Sequence, residues 1–367
     1  MKTKTSTTTI IRFFSVSALA VLIIMLANCR GSGLKDAGEI DSTKGLKDFY
    51  QGYFDIGVAV SPQNLEGEEA ELIKKHFNSI TAENVMKPGP IHPKEDSFAW
   101  ENADKIVEFA MANGMKVRGH TLCWHSQTAD WMFKDEEGNQ VSREVAMARL
   151  KDHITAVVSR YKGKVYAWDV LNEVIQDRDT NTIFRETPWY KIIGEEYVAK
   201  VFEWAHEADP NALLVYNDYN TENPDKRDRI YTMLKNLLDA GVPVHAVGLQ
   251  GHWNITDPTG ENLRASIDKF ASLGLKVQVT ELDVSIYGSR TDTIGIGFTP
   301  EREQKQIDLY KMAFNVFREK KDVINSVTFW NVTDRRSWRD RRDMKVYPLL
   351  FDENAEPKKV FWEVVKF

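Results

Sequence analysis

The sequence predicts an α/β chain folded as a single (β/α)8 barrel, the TIM barrel, over residues 46–367. Three observations carry that prediction. Eight apolar runs of strand length are spaced along the chain, most of them one helix-sized segment apart, which parallel strands with helical crossovers require. Four times a helix-like run closes on glycine immediately before an apolar run. Polar side chains gather where the runs end, and in such barrels the C-terminal strand ends share one mouth. Eight units over about 320 residues also fit the roughly 200 to 400 residues this architecture takes. A composition of 42% hydrophobic and 11% aromatic residues supports a sizeable core and excludes a disordered or low-complexity chain. The alternative is an open doubly wound sheet, but no glycine-rich phosphate loop follows any of the runs.

Residues 1–28 read as a targeting segment. Lys2, Lys4 and Arg12 precede the uncharged run 13–27, which is short for a membrane span. "LANC" at 26–29 resembles a bacterial lipobox, with Cys29 as the lipid anchor, although Asn28 stands where a small residue is usual. An ordinary secretory signal is the other reading. Both place the protein outside the cytoplasm, in the cell envelope as a lipoprotein or secreted. Residues 29–45 form a flexible tether. The formal net charge is −6, and cleavage after residue 28 removes three basic residues and no acid, leaving −9. Such a chain is a poor partner for nucleic acid, and membrane contact is expected only through the N-terminal lipid. The arginine-rich "DRRSWRDRR" at 334–342 is interrupted by acids and reads as a self-paired surface loop.

The strand candidates are 55–60, 79–82, 116–122, 166–172, 213–218, 246–250, 276–282 and 326–331. Gly114, Gly163, Gly241 and Gly274 mark helix ends in front of four of them. Thr299 and Pro300 supply the opposite signal, a cap followed by proline at the first helical position. Cys123, at the end of the third run, reads as a small core residue rather than a nucleophile. With two cysteines there is neither a disulfide framework nor a cysteine metal site.

In a barrel the polar endings become a map of the mouth. They are Glu83 and Asn84 after the second strand, His120 to Gln127 after the third, and Asn172 and Glu173 after the fourth. Asn217 and Asp218 follow the fifth, Gln250 and His252 the sixth, Glu281 and Asp283 the seventh, and Trp330 the eighth. A facing glutamate pair supplies what glycosidic cleavage needs, a proton for the leaving oxygen and a nucleophile or base. Amides and imidazoles suit sugar hydroxyls, and indoles suit the apolar faces of sugar rings. An isolated carboxylate at a strand end would more simply pair with a lysine or arginine.

The runs "TAENVMKP", "RGHTLCWHSQTADW", "AWDVLNEV", "NDYNTE", "GLQGHW", "VQVTELDV" and "FWNVTDRRSW" resemble glycoside hydrolase family 10, the endo-β-1,4-xylanases, in the family's order. The resemblance implies retaining attack within the xylan backbone without metal or organic cofactor, with xylan or xylo-oligosaccharides as substrate, and the protein is expected to be a monomer. It makes Glu173 the acid/base and Glu281 the nucleophile. His252 resembles the histidine that hydrogen-bonds the nucleophile, and Asp283 lies on the strand face where it would orient that histidine. Asn172 resembles the contact to the 2-hydroxyl of the attacked sugar, and His120, Trp124 and Gln127 resemble its surroundings; Gln250, on the same strand face as His252, is a further expected substrate contact. Glu83, Asn84 and Lys87 resemble partners of the next sugar on the non-reducing side. Trp330 and Trp338 resemble the indoles that roof the site.

Cys123, Asn331 and Trp253 depart from that pattern, and the last two are expected to alter subsite shape. Three alternatives stay open on sequence. His120, His125, His252, Glu173 and Glu281 would offer zinc ligands, although the amides around them are poor ones. A binding protein that has kept its cleft is the second, and a preference for β-1,4-glucan the third.

Overall fold

The computed structural model describes residues 40–178, 182–288, 297–341 and 344–367. The targeting segment with Cys29, the first part of the tether and Arg342 lie outside the described residues. Within the unit Ser42–Phe367 the strands are β1 (Asp55–Val60), β2 (Ser79–Ala82), β3 (Lys116–Cys123), β4 (Val165–Asn172) and β5 (Leu213–Asp218). They continue with β6 (Ala246–Leu249), β7 (His252–Asn254), β8 (Lys276–Ser285) and β9 (Ile324–Phe329). All pairings between these strands are parallel. β1 to β6 pair in succession, β6 pairs β8, β8 pairs β9 and β9 pairs β1, which closes an eight-stranded barrel.

Three details differ from the sequence expectation, and all bear on the site. β8 runs on to Ser285, so Glu281 and Asp283 project from within a strand and have a fixed direction. β9 ends at Phe329 and leaves Trp330 just beyond it. The three-residue β7 was not foreseen: Gly251, at φ +77°, turns the chain after β6 so that His252 pairs in register with Asp283 of β8.

The helices cover the barrel with apolar stripes at helical spacing. The helix Arg143–Arg160 buries Ala146, Leu150, Ile154, Val157 and Val158, and Glu101–Ala112 buries Ala103, Ile106, Val107 and Ala110. The four predicted helix-ending glycines all have positive φ. Thr299 caps the helix Pro300–Glu319 by accepting from the Arg302 amide, as its sequence position predicts. Under the mouth, Arg118 donates to both oxygens of Asp169, and its Nε donates to Gln278 at 2.9 Å, with all three residues fully buried. Removing one partner of such a pair costs roughly 3 to 5 kcal/mol, because the other charge stays buried.

Candidate active site

The C-terminal strand ends surround a cavity of about 760 Å³. Its walls include Glu83, Asn84 and Lys87 beyond β2, and His120, Trp124 and Gln127 from the end of β3 and beyond. Asn172 and Glu173 line it at the end of β4, Gln250 and His252 after β6, Glu281 on β8, and Trp330 and Trp338 after β9. Both glutamates therefore open into one space.

Their surroundings differ in kind. Glu281 is buried, its Oε2 lies 3.1 Å from His252 Nε2, and its Oε1 accepts from Asn217 Nδ2 at 2.7 Å. Burial alone would raise its pKa. His120, His252 and Lys87 overcome that and hold it down at about 2, so the group is an anion. Glu173 is half-buried and takes only neutral donors, Trp124 Nε1 at 3.0 Å and Gln250 Nε2 at 3.0 Å. Its backbone sits at φ +58°, a left-handed conformation uncommon for a residue with a side chain. That turn stops β4 and swings the carboxylate into the cavity.

Three amides link the carboxylates. Glu173 accepts from Gln250, whose Nε2 also lies 3.3 Å from Asn172 Oδ1. Asn217 Nδ2 donates to the same Asn172 oxygen at 2.9 Å and to Glu281. The Thr280 hydroxyl donates to Asn217 Oδ1 at 2.6 Å and so fixes which end of that amide faces Glu281. On the far side, Asp283 is wholly buried and accepts from Trp338 Nε1 at 2.9 Å and Arg339 Nη1 at 2.6 Å, with His252 Nδ1 at 3.0 Å. His252 is pulled two ways. Burial disfavours its charge, but Asp283 and Glu281 outweigh that and raise its pKa to about 9. Lys87 is buried, donates to Asn84 Oδ1 at 2.9 Å and lies 5.0 Å from the Trp124 ring. Burial lowers its pKa, against the opposing pull of Glu281, Glu83 and Glu173.

The sequence pattern of "Glycosyl hydrolase family 10" matches residues 45–367. The chain belongs to glycosyl hydrolase family 10. A Beta-1,4-xylanase of Dictyoglomus thermophilum is 49% identical over 358 residues, which span 96% of this chain and 98% of that protein. An Endo-1,4-beta-xylanase B of Paenibacillus barcinonensis is 48% identical over 322 residues, 86% of this chain and 96% of the other. Among solved structures, a Paenibacillus barcinonensis xylanase complexed with a conduramine derivative superposes with a TM-score of 0.85 at 46% identity, covering 89% of this chain and 99% of that one. A mutant structure in complex with xylotriose gives 0.85 at 42%, covering 89% and 100%.

Among the residues singled out from sequence in this family 10 chain, all the proposed sugar contacts line the cavity, as do Glu173, Glu281 and His252. Asp283 stands behind His252. His125 does not join them. Its ring is turned into the interior, where burial lowers its pKa to about 4, so the five-residue zinc constellation is not assembled. The described residues do group His120, Asp169 and Glu281 with candidate ligand atoms within 4.8 Å, but Arg118 and His120 already occupy the Asp169 oxygens. That guanidinium makes the spot unfavourable for a second cation.

Among the described residues of the arginine-rich stretch, two arginines pair outside it. Arg335 reaches Glu68 at 3.1 Å and Arg339 reaches Asp283. Trp253 is buried beside the site and does not line it, whereas Asn331 adopts φ +107° and lines an adjoining cavity of about 450 Å³. Cys123 is fully buried, and burial pushes its thiol pKa up, as expected for a core residue. Three residues with side chains at the centre were missed as site residues: Asn217, Asp169 and Arg339. Asn217 ends β5 among the polar endings, and that position was the available signal.

Proposed function

We propose that this family 10 protein is an endo-1,4-β-xylanase that cleaves internal xylosidic bonds with retention of anomeric configuration. Glu281 is the nucleophile and Glu173 the acid/base. The observation that supports this most is the asymmetry of the two carboxylates in one cavity, with Glu281 held as an anion by its neighbours His120, His252 and Lys87 and Glu173 met only by neutral donors. The xylanase names of the relatives and the xylotriose complex support the substrate.

In the first step Glu281 attacks the anomeric carbon while Glu173 gives its proton to the leaving oxygen. Forming the glycosyl ester removes the charge of Glu281 and leaves Glu173, its proton given up, as a carboxylate free to act as base. Glu173 then takes a proton from water, which releases the sugar with its configuration restored. Asn172 meets the 2-hydroxyl in this reading, an interaction that strengthens as positive charge develops on the ring. His120, Trp124, Gln127 and Gln250 surround the same sugar. Glu83, Asn84 and Lys87 hold the next one, and Trp330 and Trp338 roof the cleft.

The reaction as written takes no cofactor, and activity is expected to survive a chelator. We also propose that the barrel acts as a monomer and is exported with Cys29 lipidated. Loss of lipid labelling in Cys29→Ser tests the anchor. Proton NMR of the first product from a xylo-oligosaccharide tests the mechanism. The β-anomer is expected first. An α-anomer first would overturn retention, no release would favour a binding protein, and faster cleavage of a β-1,4-glucan would change the substrate.

A further inference from the structure

Beyond the residues that meet the sugar, Asp283 is a hub. It is wholly buried and sits between the nucleophile's histidine and the roof of the cavity. One oxygen faces His252 Nδ1 and Trp338 Nε1, and the other accepts from Arg339 Nη1. The same Arg339 nitrogen lies 2.6 Å from the carbonyl of Trp253, the residue after His252 in β7. Arg339 thus joins three elements: the loop that carries it, β8 through Asp283, and β7 through Trp253. Its chain neighbour Trp338 is 55% exposed and places its indole 4.7 Å from the His252 ring. A mobile loop would not hold an exposed indole there. A charge-assisted bond to a buried carboxylate does.

We propose that Arg339 is a positioning residue: by clamping Asp283 to the Trp253 carbonyl it fixes His252 against Glu281 and seats the Trp338 roof, so one loop sets both the ceiling of the cavity and the proton on His252. The inference rests on the reading of Glu281 as nucleophile. The charged groups facing His252 are Glu281 and Asp283 from β8; Arg339 from the loop faces Asp283, and Lys87 and the titratable His120 face Glu281. The direction of the effect follows. Arg339 carries a permanent positive charge that offsets Asp283. Without it, Asp283 acts on His252 unopposed, the imidazolium is favoured, and Glu281 is held more tightly as a bound anion when it must attack.

The test is the titration of His252 by NMR of labelled histidine in the absence of substrate, with its signal assigned by its loss in His252→Gln. In Arg339→Met, His252 is expected to titrate at higher pH than in the parent, and kcat on xylan to fall on the order of tenfold or more. In Arg339→Lys, which keeps the charge but not the fork, the titration stays near the parent value while kcat recovers only in part. If Arg339→Met does not fold, Arg339→Gln keeps a donor for the Trp253 carbonyl without the charge and carries the same expectation. An unshifted His252 in a folded, uncharged variant overturns the proposal whatever happens to kcat. Absence of xylan cleavage by the parent would instead overturn the xylanase reading and leave the titration result standing.

Discussion

Glu173 and Glu281 are chemically identical side chains made unequal by their neighbours. Truncating each should give distinguishable defects. Glu281→Ala removes the proposed attacking group and is expected to abolish turnover on every substrate. Glu173→Ala is expected to lower kcat/KM on xylan by about 10² to 10⁴, yet to form the intermediate readily from an aryl xylobioside whose leaving group needs no proton. A pre-steady-state burst of released phenol followed by slow turnover checks this, and equal loss on both substrates would contradict it. The place of these two residues in the cavity was legible in the sequence because each stands at or near the end of an apolar run, within a set of polar strand endings that share one mouth. Asp169 and Arg339 were not, and Asn217 was legible only as one of the polar strand endings. Their parts lie in contacts across the barrel, to residues 45 to 64 positions away, and no local spacing encodes them.

At the scale of the elements, the strands were readable because buried parallel strands are short apolar runs, and the helix ends because threonine and glycine have local backbone reasons for their positions. The three-residue β7 was hidden, since its pairing depends on Gly251 and on where β8 continues. Gly248 in β6 links element to site. A Cβ there would lie 2.2 Å from Asn217 Oδ1 and 2.8 Å from Thr280 Cγ2. Gly248→Ala therefore pushes away the amide that donates to Glu281. The expected cost is about 1 to 3 kcal/mol of stability together with a fall in kcat on the order of tenfold or more. Thermal unfolding and kinetics on the same preparation check both, and an unchanged kcat would show that Asn217 is not needed in that position.

For the whole molecule, buried histidines set the pH range of stability. Burial lowers the pKa of His76 to about 4 and of His153 to about 3 from 6.5, with Lys75 and Lys47 adding to the effect on His76 against Asp48. His125 falls to about 4, again chiefly through burial. Each is neutral when folded, so between 6.5 and these values the unfolded chain binds more protons, and stability falls as pH drops. For His153 alone the loss between pH 6.5 and 5 is about 2 kcal/mol. His252 works in the opposite sense. Its pKa of about 9 contributes stability below 6.5 that is lost as pH rises through 9. The melting temperature is expected to peak near neutral pH and fall more steeply on the acid side, with a shallower acid limb in His153→Gln. An unchanged acid limb in that variant would contradict the assignment. The barrel itself was legible from the count and spacing of its strands; the ring of contacts that closes over the site was not, because it forms only when distant strand ends meet. The central claim is that Glu281 bonds to the sugar. A 2-deoxy-2-fluoro xylobioside with a good leaving group slows both steps but lets the first proceed, so the ester accumulates for peptide mapping. The label is expected on Glu281, and a label on Glu173 or any other residue would contradict the account.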